Sequence, residues 1–530
     1  MASTTFFEVL IIAMLIIIAL KWISFKLNAP PSILLILGGG ALAFIPDLPV
    51  IELDPELMLL ILLPPLLMDG AYFTAIASFK KHISGILLLA VGAVIFTTLF
   101  IGLVTHILFP SLPLAACFTM GAIVSPPDAI SARAILSRVR LPQRISTLLE
   151  GESLLNDATG LVLFRFSVAA CLTGFFSIGD ATLSFAWLAT GGVIVGGVIA
   201  CLWVGLLKHL KNDNLMILAS VLLCWVAYTV GEKLHVSGVI STVSAGLIYG
   251  WHQHRIFSAN VRIRTTFFWK IMVSMLEAMV FMLIGFSLKG VLERSGGIDN
   301  ILSTLSIPVI IITLSVIVSR FIWVFSVKLI ATALHKFGLS FKPLDCRWSI
   351  ILSWAGMRGV VTLAVALALP ETFPGRDIML ISAFSVILVT VIIQGSTLGY
   401  VIKLLSPKTV DEISHIEIDT VRKEIAAVKM NVLKKLTDES EENSHYAELV
   451  ANYRSMVESI SKHNEMVKNT SNNEVINLSA LLSAAARTKL IELHRAGKLS
   501  DEDMHRIEME IDLNEISQKS KAQRYLTLRG

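Results

Sequence analysis

Polar side chains, among them those of Glu152, Ser153, Asn156 and Asp157, lie within one long apolar stretch, where residues 150–164 read Glu-Gly-Glu-Ser-Leu-Leu-Asn-Asp-Ala-Thr-Gly-Leu-Val-Leu-Phe. In a helix, Ser153 and Asp157 share one face, and Glu152 and Asn156 share the next. Carboxylate, hydroxyl and amide oxygens are the ligands that hard cations prefer. A charged group at membrane depth costs about 3 kcal/mol or more and usually marks an ion or proton path. We therefore predict an ion site here; the alternative is a polar cluster that only joins helices.

Asp157 has the chemistry to exchange a proton for a cation. Burial favours the neutral form of a carboxyl group, whereas a bound cation favours the ionised form. One carboxylate holds a proton or a cation but not both, so we expect the two ions to compete, with Ser153 as a second ligand of the cation.

A proline pair interrupts another apolar stretch. Pro126 and Pro127 lie in the middle of a membrane-length segment, where they remove backbone donors and prevent a continuous helix. Broken backbone at that depth is tolerated where it is buried or lines a cavity. Asp128 follows the break, and we expect it to cap the second half-helix and offset its positive end. Direct ion ligation by Asp128 is the alternative.

The segment Ser353-Trp354-Ala355-Gly356-Met357-Arg358-Gly359-Val360-Val361 predicts a second break, because its glycines permit one. Arg358 would be a buried cation that needs a partner, and Glu152 is the predicted partner. The two interrupted segments have opposite orientation, which is the pattern of an inverted repeat with a midplane site.

Two further intramembrane acids are weaker candidates. Asp69 and Glu277 are each interpreted as lining the ion path, with a helix-packing role as the alternative for Asp69. Arg165 and Arg320 are expected to pair or to reach the interface rather than to bind substrate.

The amino-acid composition indicates that most of this chain lies in a lipid bilayer. Of its 530 residues, 55% are hydrophobic and 16% are charged, and the mean hydropathy is +0.74. Apolar runs of about 20 residues, the length that crosses a bilayer, recur throughout. The five cysteines show no metal-ligand spacing, and we expect no cofactor. The net charge of +4 comes mostly from loops, so it indicates orientation and no nucleic-acid partner.

The predicted fold class is an all-α polytopic membrane protein of about thirteen transmembrane helices, with inverted repeats and two broken, crossing helices. The predicted spans are 6–27, 31–46, 57–77, 84–109, 113–136, 144–173, 181–207, 213–231, 236–250, 266–290, 300–333, 345–369 and 377–404. Basic residues fall in alternate loops, which predicts an outside N-terminus and a cytoplasmic C-terminus in a cell membrane, with the bacterial inner membrane expected.

The composition changes abruptly after Pro407. Residues 1–405 are predicted to form the transmembrane domain, and residues 406–530 to form a helical cytoplasmic tail. The tail is expected to pack on itself or on a partner tail, with a regulatory ligand site as the alternative.

Four segments in order resemble the monovalent cation/proton antiporter family, in its electroneutral sodium/proton exchanger branch. They are Leu-Leu-Pro-Pro-Leu-Leu-Met-Asp-Gly-Ala-Tyr-Phe (62–73), Gly-Ala-Ile-Val-Ser-Pro-Pro-Asp-Ala (121–129), Glu-Gly-Glu-Ser-Leu-Leu-Asn-Asp (150–157) and Trp-Ala-Gly-Met-Arg-Gly (354–359). The resemblance implies a homodimer in a lipid bilayer, with a dimerisation part and a moving six-helix core. It also implies that Na+ and H+ compete for Asp157, with Ser153 as a ligand.

The resemblance assigns the remaining site residues as well. Asn156 stands where the electrogenic branch carries a second Asp, which implies one-for-one exchange, and Glu152 with Arg358 would form the structural pair of the core. Many members have Thr-Asp-Pro in the unwound helix where this chain has Pro127-Asp128-Ala129. The missing Thr hydroxyl leaves the cation preference open.

The expected function is a secondary antiporter that exchanges Na+ or Li+ for H+ by alternating access, with a K+/H+ antiporter as the alternative. An enzyme would need a nucleophile–base set or a phosphate loop, and neither is present in the sequence. A cation channel would conduct without proton coupling, and a signalling scaffold would depend mainly on the tail.

Overall fold

The fold is known from a computed structural model that describes residues 2–27, 30–44, 55–74, 76–128, 142–175, 177–210, 212–257, 259–290, 305–336, 344–405 and Leu513. The chain divides into two units, and the helices below belong to the first, Met1–Ser406. The predicted tail lies outside the described residues, Leu513 excepted.

The described residues form helices and no strands. The α-helices are α1 (Ala2–Leu27), α2 (Pro31–Ala43), α3 (Pro55–Phe73), α4 (Ile76–Lys81), α5 (Ile83–Leu87), α6 (Val94–Leu108), α7 (Leu114–Val124), α8 (Gln143–Thr173), α9 (Ile178–Leu207), α10 (Asp213–Lys233), α11 (Gly238–Ile256), α12 (Ala259–Phe286), α13 (Ser306–Lys336), α14 (Cys346–Trp354), α15 (Val360–Leu367), α16 (Arg376–Val389) and α17 (Gly395–Leu405). Two π-helical turns, π1 (Leu88–Ala93) and π2 (Thr390–Gln394), join α5 to α6 and α16 to α17.

The helix boundaries follow from local sequence. Pro142 precedes α8 in an extended conformation, and Gly174 ends that helix in the left-handed region at φ 73°. Asn212 accepts hydrogen bonds from the backbone N–H groups of Asn214 and Leu215 at the start of α10. Ser237 does the same for Ile240 at the start of α11. These caps fix where each long apolar helix begins or ends.

Seven helical segments in the described part of the chain are long and apolar enough to cross a membrane. They are Ile83–Leu108, Arg144–Thr173, Ala181–Leu207, Asp213–Lys233, Val261–Gly290, Ser306–Ala333 and Arg376–Leu405. The fold class is confirmed, but the count of thirteen spans is not. One reason is physical: the predicted spans that contain a break appear as separate shorter helices, such as α14 and α15, and each half is too short to span alone.

Two hydrophobic clusters divide the helices into two bundles. One cluster joins α6, α7, α8, α13, α15 and α16, and these helices with α5, α14 and α17 are called the core bundle. The other joins α3, α9, α10, α11 and α12, which with α1 and α2 are called the scaffold bundle. A third cluster, which includes Leu35, Ile284 and Phe384, packs α1, α2, α3 and α12 against α15 and α16. Both predicted breaks lie in the core bundle.

Candidate cation site

The first interruption follows α7, which ends at Val124, and residues 125–128 are not helical. The Pro127 carbonyl, which has no helical donor, accepts a hydrogen bond from the Asn156 side-chain amide of α8. Pro126 packs against Gly160 of the same helix, where a Cβ would lie 2.9 Å from the proline Cγ. The unwound backbone is therefore fixed by side-chain and van der Waals contacts from α8.

The second interruption separates α14 from α15, and residues 355–359 lie outside both helices. The backbone N–H of Asp128 donates to the carbonyl oxygen of Met357 at 2.7 Å. This hydrogen bond joins the two interruptions to each other, and the second half of the first predicted broken helix lies outside the described residues.

The Asp128 carboxylate lies against Gly359, the residue before the first turn of α15. A Cβ at position 359 would overlap the carboxylate, so this close approach requires glycine. A negative charge at a helix N-terminus is favourable because it offsets the positive end of the helix dipole. The predicted cap on the half-helix that follows Asp128 lies outside the described residues.

Helix α8 presents two different faces to this crossing. Glu152, Asn156 and Gly160 recur at intervals of four and contact the interior of the core bundle, where Glu152 is 2% exposed and Asn156 is fully buried. Ser153 and Asp157 share the neighbouring face and are partly exposed. Asp128 lies close enough to Asp157 for repulsion between the two carboxylates. Two partly exposed acidic residues, Asp128 and Asp157, thus lie close together where the interruptions meet.

Glu152 forms a buried ion pair, but its partner is not the predicted one. Arg320 of α13 donates to both carboxylate oxygens, at 2.6 and 2.8 Å. The two side chains are 5% and 2% exposed. Gly356 makes room for this arrangement because a Cβ there would overlap the Arg320 side chain. The prediction that Glu152 pairs with Arg358 is therefore wrong, because Arg320 is the residue in direct contact with Glu152.

Arg358 is 1% exposed and lies within electrostatic range of both Glu152 and Arg320. Its Nε and Nη1 atoms have no hydrogen-bond partner among the described residues. Its backbone N–H donates to the Thr390 hydroxyl at 3.1 Å. Arg320 occupies both carboxylate oxygens of Glu152. Glu152 therefore offsets part of the charge of Arg358 only at longer range.

The two weaker acidic candidates belong to the scaffold bundle. Asp69 is 8% exposed in α3. Glu277 is partly buried in α12 and lies within electrostatic range of Lys21 of α1. Lys21 donates to the backbone and side-chain oxygens of Ser274, both at 2.6 Å. Glu277 therefore lies in a polar cluster that links α1 to α12.

Arg165, two turns beyond Asp157 on α8, pairs with Glu232 of α10 at 3.2 Å. The side chains are 60% and 34% exposed. The expectation that Arg165 forms an ion pair is confirmed, and the pair joins the core bundle to the scaffold bundle.

The sequence did not predict two contacts near the interruptions, those made by the side chains of Arg320 and Thr390. Arg320 was visible as a cation deep in an apolar span, but spacing along the chain cannot identify which of two arginines contacts a given carboxylate. Thr390 lies in an apolar run with no motif around it. Its role depends on the π2 turn, for which the sequence carries no recognised signal.

The arrangement has the features of a small cation site. The Asp157 carboxylate and the Ser153 hydroxyl lie on the partly exposed face of α8, and Asp157 lies within electrostatic range of Asp128 at the first interruption. The described residues contain no group of three or more His, Cys, Asp or Glu side chains that could hold a metal ion. Oxygen atoms of these types are the ligands that hard cations prefer.

Comparison with known proteins adds independent findings. A sequence model of the family described as sodium/hydrogen exchanger, transmembrane, matches residues 10–404. The sodium, potassium, lithium and rubidium/H+ antiporter of Bacillus pumilus is 34% identical over 386 residues, covering 70% of this chain and 56% of the relative. The Na+/H+ antiporter NhaH of Halobacillus aidingensis is 30% identical over 397 residues, covering 72% of this chain and 93% of the relative.

The chain matches 56% of the length of the Bacillus pumilus relative and 53% of the length of the sodium, potassium, lithium and rubidium/H+ antiporter of Bacillus subtilis. Among solved structures, the sodium proton antiporter MjNhaP1 of Methanocaldococcus jannaschii at pH 8 superposes with a TM-score of 0.61 and 22% identity. That match covers 77% of this chain and all of the other. It establishes similarity of fold.

Proposed function

Because the chain belongs to the sodium/hydrogen exchanger family, we propose that it is a secondary antiporter that exchanges Na+ or Li+ for H+ across a membrane. The names of its relatives support this activity, since each names an alkali cation together with H+. The observation that carries the proposal is the partly exposed Asp157 beside two interruptions of the backbone that contact each other.

Asp157 is the proposed exchange residue, with Ser153 as a side-chain ligand of the cation. Both lie on the partly exposed face of α8, whereas the neighbouring face is occupied by internal contacts. Backbone carbonyls near an interruption are further oxygen ligands, which offsets the absence of the family's usual Thr hydroxyl. One carboxylate serves both ions, so binding of a proton excludes the cation.

The charges around the crossing support one-for-one exchange. Asp157, Asp128 and Glu152 carry three negative charges when ionised, and Arg320 and Arg358 carry two positive ones. One proton or one monovalent cation therefore neutralises the group in either loaded form. The core bundle would then cross the low-dielectric region without net charge, which lowers the cost of its movement.

Asn156 supports the same stoichiometry. An amide at this position cannot take up a second proton, and its donor group is occupied by the Pro127 carbonyl. We assign it the task of holding the first interruption in place beside Asp157.

The proposed transport cycle is alternating access. The core bundle carries the loaded site past the scaffold bundle, and Asp69 and Glu277 are candidates for lining the approach to the site from the scaffold side. The proposed setting is a cell membrane, with the N-terminus outside, the C-terminus cytoplasmic and two copies joined as a homodimer. The alternation of basic loops supports the orientation.

The decisive experiment replaces Asp157 with Asn, which preserves shape and hydrogen bonding but cannot hold a proton and a cation in turn. In everted vesicles, a pH gradient should collapse on addition of Na+ with the wild type and persist with Asp157→Asn. Asp377→Asn, on the exposed first turn of α16, is the matched control and should exchange normally.

Membrane expression and the melting temperature in detergent should be unchanged in both variants. Cation-driven dissipation that survives in a well-folded Asp157→Asn protein would remove Asp157 from the mechanism.

A K+/H+ antiporter is the second candidate, because the name of the Bacillus pumilus relative includes potassium. The same vesicle assay separates the two candidates when Na+, Li+ and K+ are added in turn. A response to K+ alone would contradict the sodium proposal.

A further inference from the structure

Each interruption in the core bundle is held by one side chain from a neighbouring continuous helix. At the first, the Asn156 amide donates to the Pro127 carbonyl. At the second, the Thr390 hydroxyl accepts from the Arg358 N–H at 3.1 Å. The two contacts are complementary, because one satisfies a freed carbonyl and the other a freed N–H.

The contacts form one continuous chain of hydrogen bonds through the crossing. Asn156 binds the carbonyl of Pro127, and the next residue, Asp128, donates its N–H to Met357. The residue after Met357 is Arg358, whose N–H reaches Thr390. Four segments of the core bundle are thereby linked across the position that faces Asp157.

Thr390 is suited to be the far end of this chain. It is fully buried, and its hydroxyl donates to the carbonyl of Val386 at 2.7 Å. Because a hydroxyl has one donor and two acceptor sites, donation to Val386 leaves a lone pair for Arg358. Thr390 also begins the π2 turn, where the hydrogen-bond pattern of the helix departs from the α-helical one.

We propose that Thr390 is a positioning residue for cation binding, acting through Arg358, Met357 and Asp128 on the site at Asp157. This inference rests on the proposed function. Loss of the hydroxyl acceptor leaves the Arg358 N–H buried without a partner and frees the second interruption to shift. The Asp128 carboxylate then no longer keeps a fixed position relative to Asp157.

The test compares Thr390→Val with Thr390→Ser. Valine keeps the shape and removes the acceptor, and we expect the apparent KM for Na+ to rise roughly tenfold, the factor for one lost hydrogen bond of ordinary strength. The maximal exchange rate should change much less, because the hydrogen bond lies within the core bundle. Serine restores the acceptor and should return the KM to within about twofold of the wild type.

Thr313→Val is the matched control. Thr313 is also buried, and its hydroxyl donates to the carbonyl four residues earlier, Val309, at 2.8 Å. It shares the intrahelical hydrogen bond of Thr390 but lies in α13, about two turns before Arg320. An equal rise in KM for Thr313→Val, or for Thr390→Ser, would show a general packing effect and overturn the inference.

The same series includes Asp157→Asn, so that two kinds of failure are distinguished. Inactive Asp157→Asn beside Thr390→Val with an unchanged KM would overturn the positioning role alone. Exchange retained in Asp157→Asn would overturn the proposed site and this inference together. Na+-dependent shifts of the melting temperature provide a direct measure of binding, and Thr390→Val should need a higher Na+ concentration for the same shift.

Discussion

At the scale of single residues, the buried carboxylate of Glu152 and the partly exposed Asp157 are suited to different roles. Glu152 and Asp157 lie five positions apart on α8, yet Glu152 has both oxygens occupied by Arg320, whereas Asp157 faces an accessible position. The fully paired group contributes to the architecture of the core bundle. The accessible one is suited to exchange a ligand.

Breaking the buried pair should therefore be costly. Glu152→Gln leaves the Arg320 guanidinium buried without its counter-charge, and we expect a loss of about 3–5 kcal/mol in the free energy of unfolding. The measurement is denaturant titration in detergent micelles.

A double-mutant cycle identifies the partner. Glu152→Gln combined with Arg320→Gln should show a larger coupling free energy than Glu152→Gln combined with Arg358→Gln, because direct contacts couple more strongly than distant ones. A larger coupling with Arg358 would contradict the contact described above.

The residue types and positions of the site could be anticipated from the sequence more readily than the contacts. Asp157, Ser153 and the proline pair were identifiable because polar groups and helix breakers are rare in apolar spans. The Arg320 contact was not, because it depends on how α13 packs against α8 and on the space left by Gly356.

At the scale of secondary-structure elements, α8 connects the core bundle to the scaffold bundle at one exposed point. Arg165 on this helix pairs with Glu232 on α10. Glu232 also accepts from the backbone N–H of Gly238 at 3.2 Å, at the start of α11. The carboxylate of Glu232 thus links its own helix, α10, to two others, α8 and α11.

Because the side chains of Arg165 and Glu232 are both partly exposed, we expect this ion pair to stabilise the protein only slightly. With side chains 60% and 34% exposed, the pair should contribute at most about 1 kcal/mol at low salt, and screening should reduce this further at high salt. Glu232→Gln should therefore destabilise the protein far less than Glu152→Gln, and the small difference should vanish in about 1 M salt.

Thermal unfolding in detergent at low and high salt provides the measurement. Glu371→Gln, an exposed residue between α15 and α16, is the control for loss of a surface charge. A salt-independent loss of stability in Glu232→Gln would show that the pair is shielded from solvent.

It was also easier to predict from the sequence that a segment is helical than to predict where that helix is interrupted. Apolar length and helix-capping residues indicated the helices, and Pro126-Pro127 indicated one interruption. The π1 and π2 turns were not anticipated, because a π turn is set by tertiary contacts and not by a particular residue type.

At the scale of the whole molecule, the pH response of transport should come from competition at the exchange site. His82 lies before α5, outside the membrane-length segments, and is an alternative source of pH dependence. Burial, together with the positive charges of Arg144 and Lys81, lowers the pKa of His82 below its usual value.

The lowered pKa means that His82 is neutral throughout the range above pH 6.5, the value of an unperturbed histidine. His82→Asn should therefore leave the pH profile of exchange unchanged in this range, while the wild type and the variant both lose activity as protons displace the cation. Exchange rates in vesicles across pH provide the measurement. A displaced profile in His82→Asn would assign part of the response to this histidine.

The overall organisation was predictable because composition and loop charge constrain a membrane protein strongly. The number of spans was less predictable, because an interrupted span and two short helices have similar hydropathy. The predicted tail, residues 406–530, stays a prediction.

The π2 turn is a position at which the chain could lose one residue without disturbing the helices on either side. A π turn accommodates one more residue than an α turn, so removing one residue from Thr390–Gln394 would let α16 and α17 join as a regular α-helix. The same deletion within α13 would rotate every later side chain of that helix by about 100°. The π2 turn is therefore a place where the protein can shorten and still assemble its core bundle. Only removal of Thr390 itself would delete the hydroxyl that binds the backbone N–H of Arg358.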